Sequence, residues 1–238
     1  MTHFQNKKRI RTTFASMIVV AGAMGTTFSA QAHPDHEEDS DSKTRVERSY
    51  DYQNFDKISV VGVYNMDVKV GGSNFSINTA GEERYMSNLN VYVDDGTLYL
   101  ANDKDEKKRS WGGKKNKGID ITITLPSLNG LDVTGIGNGE IYGIDSDEFE
   151  VEFAGMGAVE LSGRCGKLDV DYAGMGDMDA RGLECEDVTI DMSGMGSASV
   201  YASESVDADM SGMGSIEVYG KPEKVKKDKG FMSSVEIH

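Results

Sequence analysis

The chain has 238 residues, 40 acidic against 25 basic, and a formal charge of −15. With 38% hydrophobic residues and 28 glycines, its composition is that of a globular protein with a buried core, not of a disordered chain. Three prolines without a G-x-y run exclude collagen, and the acidity argues against nucleic acid or anionic lipid as partner, since both reward lysine and arginine.

Lys7, Lys8, Arg9 and Arg11 precede an apolar stretch from Phe14 to Met24, and Ala30-Gln31-Ala32 follows. A basic start, a short apolar run and an A-x-A site predict a signal peptide over 1–32 and an exported, periplasmic or cell-surface bacterial protein. The apolar run is shorter than the roughly 20 residues of a spanning helix, and no second such run follows, so no transmembrane segment is expected. Removing the segment would leave 21 basic residues against 40 acidic ones. Residues 33–52 read as a flexible acidic leader. His33 and His36 within it are weak candidates for copper or zinc, because nothing fixes their geometry.

Strands are expected at 55–70, 74–80, 89–93, 97–101 and 119–125, from alternating apolar and polar residues. Asp95-Gly96 is a hairpin signal, and Glu82–Asn88 suits a helical turn. The segment Asp103–Gly118 holds seven lysines and arginines with Trp111. It reads as a solvated loop, with a grip for an anionic glycan as the alternative.

From residue 131 onward a repeat dominates. Gly-Ile/Met-Gly occurs as Gly135/Gly137, Gly155/Gly157, Gly174/Gly176, Gly194/Gly196 and Gly212/Gly214, at spacings of 20, 19, 20 and 18. Gly230-Phe231-Met232 reads as a degraded sixth copy. Apolar residues recur four and two positions before each first glycine, as in Val170/Tyr172 and Ile190/Met192, and four and six after it. Period two means strand, and 18–20 residues suit one coil of a parallel β-solenoid with glycine corners. The predicted fold is therefore all-β: a right-handed, single-stranded parallel β-helix over 53–238, with N-terminal strands over 53–130 and repeat coils over 131–238. Lys221, Lys224, Lys226, Lys227 and Lys229 would discourage another chain from pairing at the far end.

Cys165 and Cys185 fall on adjacent coils, about 5 Å apart, and in an exported chain predict a structural disulfide. Carboxylates form outward ladders. Asp132, Glu152, Asp171, Asp191 and Asp209 lie three residues before the tripeptide; Glu150, Asp169 and Asp207 lie five before it. Glu140, Glu160, Asp179 and Glu217 lie five after it. Stacked carboxylates about 5 Å apart repel by roughly 1 kcal/mol per pair in water. Cation binding, with Ca²⁺ as candidate ligand, is one reading; a soluble, aggregation-resistant face is the other. No cofactor is otherwise expected.

Ile136, Met156, Met175, Met195 and Met213 hold outward parity too, with Phe231 as an extension. They form either a contact stripe for a partner, a lipid or a second copy, or, if the glycines break parity, part of the core. Thioethers are also ligands for Cu(I). Catalysis is not expected. Beyond the leader the only histidine is His238, and no phosphate loop or dinucleotide fingerprint exists. Arg164 and Arg181 beside acids are the residues a polysaccharide lyase or glycosidase would use.

The runs VTGIGNGEIYG, AGMGAVELSG, AGMGDMDARG, SGMGSASVYA and SGMGSIEVYGKP resemble the bacterial auto-transporter adhesin "head GIN" domain family. FDKISVVGVYNMDVKV and IDITITLPSLNGLDVTG are similar to its opening strands. The resemblance covers roughly 53–238 and implies an exported β-helix without an assigned biochemical role. Methionine at the middle tripeptide position departs from the small or polar residues commoner in the family, and no translocator barrel follows. The expected function is a non-enzymatic, adhesin-like module whose lateral faces meet a surface glycan or protein.

Overall fold

The computed structural model describes residues 44–102 and 118–238. The signal segment, His33, His36 and the Trp111 loop lie outside the described residues.

Among the described residues, ten strands and one helical turn follow one another: β1 (Arg45–Tyr50), β2 (Lys57–Val70), β3 (Ser76–Glu82), α1 (Glu83–Met86), β4 (Leu89–Asp94), β5 (Thr97–Asn102), β6 (Ile119–Leu125), β7 (Gly130–Met210), β8 (Met213–Tyr219), β9 (Lys224–Lys229) and β10 (Ser233–Ile237). The fold is all-β, an open sheet in the order β1-β3-β6-β2-β7-β8-β10, with β5 and β4 beyond β2 and β9 on β7. The hairpin at Asp95-Gly96 forms as expected, with φ of 44° and 73°. Positive φ at both central residues matches the right-handed twist of the antiparallel pair β4–β5.

One expectation for the leader is corrected. Residues 45–50 are a strand, antiparallel to β3 from Arg45↔Glu82 to Tyr50↔Ile77. Val46, Tyr50 and Tyr52 pack against the core, and the Tyr52 hydroxyl donates to the Val91 carbonyl at 3.0 Å. Arg45 pairs with Asp120. The acid-rich stretch around it hides this apolar alternation.

The 81 residues of β7 are not one straight strand. Residues 130–142 lie parallel to 57–69 of β2, 195–201 parallel to 213–219 of β8, and 205–210 parallel to β9. β8 in turn lies parallel to β10, Gly214 opposite Ser233. Segments 18 to 20 residues apart are thus neighbours, in register. Apolar residues at every second position face one shared core: Ile58, Val60, Met66 and Val68 in β2, Val151, Phe153, Val170, Tyr172, Ile190 and Met192 in β7, Ile216 and Val218 in β8.

The register shows a copy that the tripeptide pattern missed. Gly62-Val63-Tyr64 of β2 sits opposite Gly135-Ile136-Gly137. The stacking therefore starts in the front half, and β3, α1, β4, β5 and β6 come between the first copy and the second.

The tripeptide glycines are not corners. Pairing runs straight through them, Gly62↔Gly135 and Gly196↔Gly214 included. β8 ends only later, just before Gly220 (φ 94°). Bulky core residues occupy the space beside the bare glycines. The Met210 Cε lies 3.1 Å from where a Gly214 Cβ would stand, and Phe153 and Tyr172 stack with centroids 4.7 Å apart. The Tyr64 and Tyr172 hydroxyls find no protein partner among the described residues, and burial pushes both phenols up to about 12.

Candidate functional site

The continuous pairing decides which way the tripeptide side chains point. An extended chain keeps parity, so residues between inward glycines face out. Ile136, Met156, Met175, Met195 and Met213 are 47, 40, 44, 44 and 42% exposed. They stack: Gly174 and Gly176, either side of Met175, lie directly over Gly155 and Gly157, either side of Met156. Gly194 and Gly196 lie over Gly174 and Gly176 in the same way, and Met195 is the register partner of Met213.

Two ends of this column differ from expectation. Below Ile136 lies Val63, invisible to a search for Gly-x-Gly because Tyr64 replaces the second glycine. At the other end Met232, not Phe231, continues the column. Ser233 is opposite Gly214, the Gly214 N–H donates to the Met232 carbonyl at 3.4 Å, and Met232 therefore flanks Met213. Phe231 projects fully into solvent. The Gly230 spacing is off by one because the register offset grows from 18 at Tyr201↔Tyr219 to 19 at Ser205↔Lys224.

Small residues border the column. Thr134, Ala154, Ala173, Ser193 and Ser211 on one side are exposed. On the other, the Asn138 carboxamide oxygen accepts the Ala158 N–H at 3.2 Å, and Asp177 accepts the Ser197 N–H at 3.2 Å. These bonds tie successive passes together and hold that border flat.

Beyond the small residues come the acids. Glu150, Glu152, Asp169, Asp171 and Asp191 are exposed, while Asp132, Asp207 and Asp209 are half-buried. Lysines neutralise three of them: Lys57 with Glu150 at 3.2 Å, Lys167 with Asp169 at 3.3 Å and Lys226 with Asp207 at 2.8 Å. Asp132 accepts the Ser59 hydroxyl at 2.8 Å. Asp191 sits within the ladders, and its carboxyl is raised above the usual range by burial first and then by Asp209, Asp171, Asp207 and Asp169. A raised value means that the fold favours protonated Asp191. Its stabilising contribution is present below the ordinary aspartate range and is lost as pH rises through the folded value. Asp191→Asn is expected to raise the melting temperature at pH 7, by an amount that shrinks with added salt and vanishes below about pH 4. Equal melting temperatures at pH 7 would remove the repulsion argument.

The carboxylates do not converge into a calcium cage. Among the described residues no group of three or more His, Cys, Asp or Glu is placed to hold a metal ion. Strand geometry points the two ladders outward side by side, each on its own column, which spreads oxygens over a face. Arg164 and Arg181 are each committed to a neighbour as well. Arg164 holds Asp145 through two bonds at 2.9 and 2.7 Å, and the Arg181 Nε donates to Asp179 at 2.9 Å. Each guanidinium holds its partner carboxyl below the usual range. A cleft of about 550 Å³ lies beside the first ladders, lined by Lys57, Asn129, Ser146, Glu150, Lys167 and Asp169. Within it Lys57 pairs with Glu150 and Lys167 with Asp169, and Asp147 and Glu148 line it too. Sequence reasoning missed it because Lys57, Asn129 and Lys167 come from separate passes.

A family model described as "Putative auto-transporter adhesin, head GIN domain" matches residues 54–222. The chain belongs to that family. The head GIN chain is also similar to solved structures. The crystal structure of a "putative adhesin" from Bacteroides fragilis NCTC 9343 is 27% identical, with a TM-score of 0.65, over 83% of this chain and 98% of that one. A "putative lipid binding protein" from Parabacteroides distasonis ATCC 8503 is 19% identical, with a TM-score of 0.47, over 83% and 98%. A "putative adhesin" from Parabacteroides merdae ATCC 43184 is 15% identical, with a TM-score of 0.43, over 83% and 97%. No curated protein matches the head GIN chain. Among its described residues no helix is long and apolar enough to cross a membrane.

Proposed function

We propose that this head GIN chain is an exported, non-enzymatic binding module of adhesin type, and that its passes are the coils of a right-handed parallel β-helix. Parallel pairing at offsets of 18 and 19 residues supports the coil reading. The basic-apolar-AQA start and a disulfide between Cys165 and Cys185 support export to the periplasm or cell surface. The observation that carries the binding reading is the exposed Ile136–Met213 column, an apolar stripe bordered by small residues on an otherwise acidic chain. Apolar surface arranged in a line is the mark of a contact site, and thioethers adapt to irregular partners.

The test is incubation with a panel of bacterial and host surface polysaccharides and glycoproteins, scored for retention and for new reducing or unsaturated ends. Retention without new ends is expected, with a loss of about tenfold or more for Met175→Glu/Met195→Glu. New ends that accumulate with time would replace this reading by a carbohydrate-active enzyme.

A further inference from the structure

We infer that the exposed methionine column is a binding site for a soft monovalent metal ion, Cu(I), held between thioether sulfurs of successive passes. This does not rest on the adhesin reading. Met156, Met175, Met195 and Met213 are stacked in register and Met232 continues them, so five thioethers form one file. Strands in such a stack lie about 4.8 Å apart. Side chains in equal rotamers then keep adjacent sulfurs about that distance apart, close to the span of two metal–sulfur bonds of about 2.3 Å each. A linear, two-coordinate ion fits between two rungs without moving the backbone.

The residue type is not explained by the fold. An exposed strand position favours Thr, Val or Ile, and the first two rungs are Val63 and Ile136. The next rungs change to methionine, whose polarizable sulfur is a ligand for Cu(I) and a poor one for Ca²⁺ or Mg²⁺. Met156, Met175, Met195 and Met213 each lie between two glycines without side chains, so nothing beside these sulfurs blocks access along the pass.

Charge selects the occupant. Asp132, Glu152, Asp171, Asp191 and Asp209 run along one side of the column, and Glu140, Glu160, Asp179 and Glu217 along the other. Each file is four residues away along an extended chain, about 13 Å. Acids on both flanks raise the local concentration of cations. They repel an anionic lipid and also a second copy of the same face, which would bring like charges together.

The experiment labels the methionine methyl groups with ¹³C and titrates the folded chain with Ag(I), and with Cu(I) under anaerobic conditions. The resonances of Met156, Met175, Met195 and Met213 are expected to shift together, and those of the buried Met66, Met178 and Met192 to stay. Ca²⁺ and Zn²⁺ at equal concentration should move none of the column. Met175→Leu removes the one sulfur neighbour of Met156, so it should abolish the Met156 shift and spare Met213. Met156→Leu/Met175→Leu/Met195→Leu/Met213→Leu, checked for an unchanged melting temperature, should lose affinity by at least about tenfold. Unmoved column resonances, a Met156 shift that survives Met175→Leu, or undiminished affinity of the fourfold variant would each overturn the site.

Discussion

Gly176→Ala is expected to leave the chain largely unfolded at ambient temperature. Gly176 has a φ of 146°, where an L-residue is strained by about 1–3 kcal/mol. Strain is the smaller part. A Cβ there would overlap the carbonyl oxygen of Gly157, and the Gly196 backbone lies against Gly176 from the other side. Both obstacles are main chain, so no rotamer change relieves the overlap. The passes would have to separate, breaking ladder hydrogen bonds worth about 1 kcal/mol each. The sum exceeds about 4 kcal/mol, a large share of the 5–15 kcal/mol that typically holds a domain together. Denaturant unfolding of Gly176→Ala and of Ser193→Ala, an exposed change on the same face, measures it. Ser193→Ala should lie within about 0.5 kcal/mol of the parent. A Gly176→Ala protein within about 1 kcal/mol of the parent would show that the passes are not packed backbone to backbone.

Loss of the disulfide is expected to cost about 3 kcal/mol. Cys165 and Cys185 are bonded, 20 residues apart in sequence and 4.5 Å apart at Cα. The bond closes a loop of one repeat length, and in the unfolded chain it removes the freedom of that loop. It also pins the register of two passes, since a slip of one residue would send one sulfur to the outer face. Both sulfurs belong to the core. Cys165→Ala/Cys185→Ala, which avoids burying hydroxyls, should therefore lower the denaturant midpoint without changing the strand signal in circular dichroism. Thiol titration of the non-reduced, denatured protein should find none free; two free thiols would refute the pairing.

Both results rest on features legible in the residues alone. A glycine pair returning every 18 to 20 positions, with apolar residues at even offsets around it, determines which side chains point in and which point out. Parity is a local property of extended backbone, so it placed Asp171, Asp191 and the tripeptide methionines on the outside and Phe153 and Tyr172 on the inside. The same spacing brought Cys165 to Cys185.

Register between distant segments was another matter. Gly62-Val63-Tyr64 is the first rung of the stack, but the excursion of β3 to β6 and a tyrosine in place of glycine conceal it. Met232 takes the place expected of Phe231 because one extra residue enters between Tyr219 and Lys224, where the register offset grows from 18 to 19. Arg45–Tyr50 becomes a strand only because β3 offers it an edge. Periodicity in a sequence reports each residue's own face. Which segments meet, and which charges pair, follows from hydrogen bonds and packing between parts of the chain that no local pattern relates.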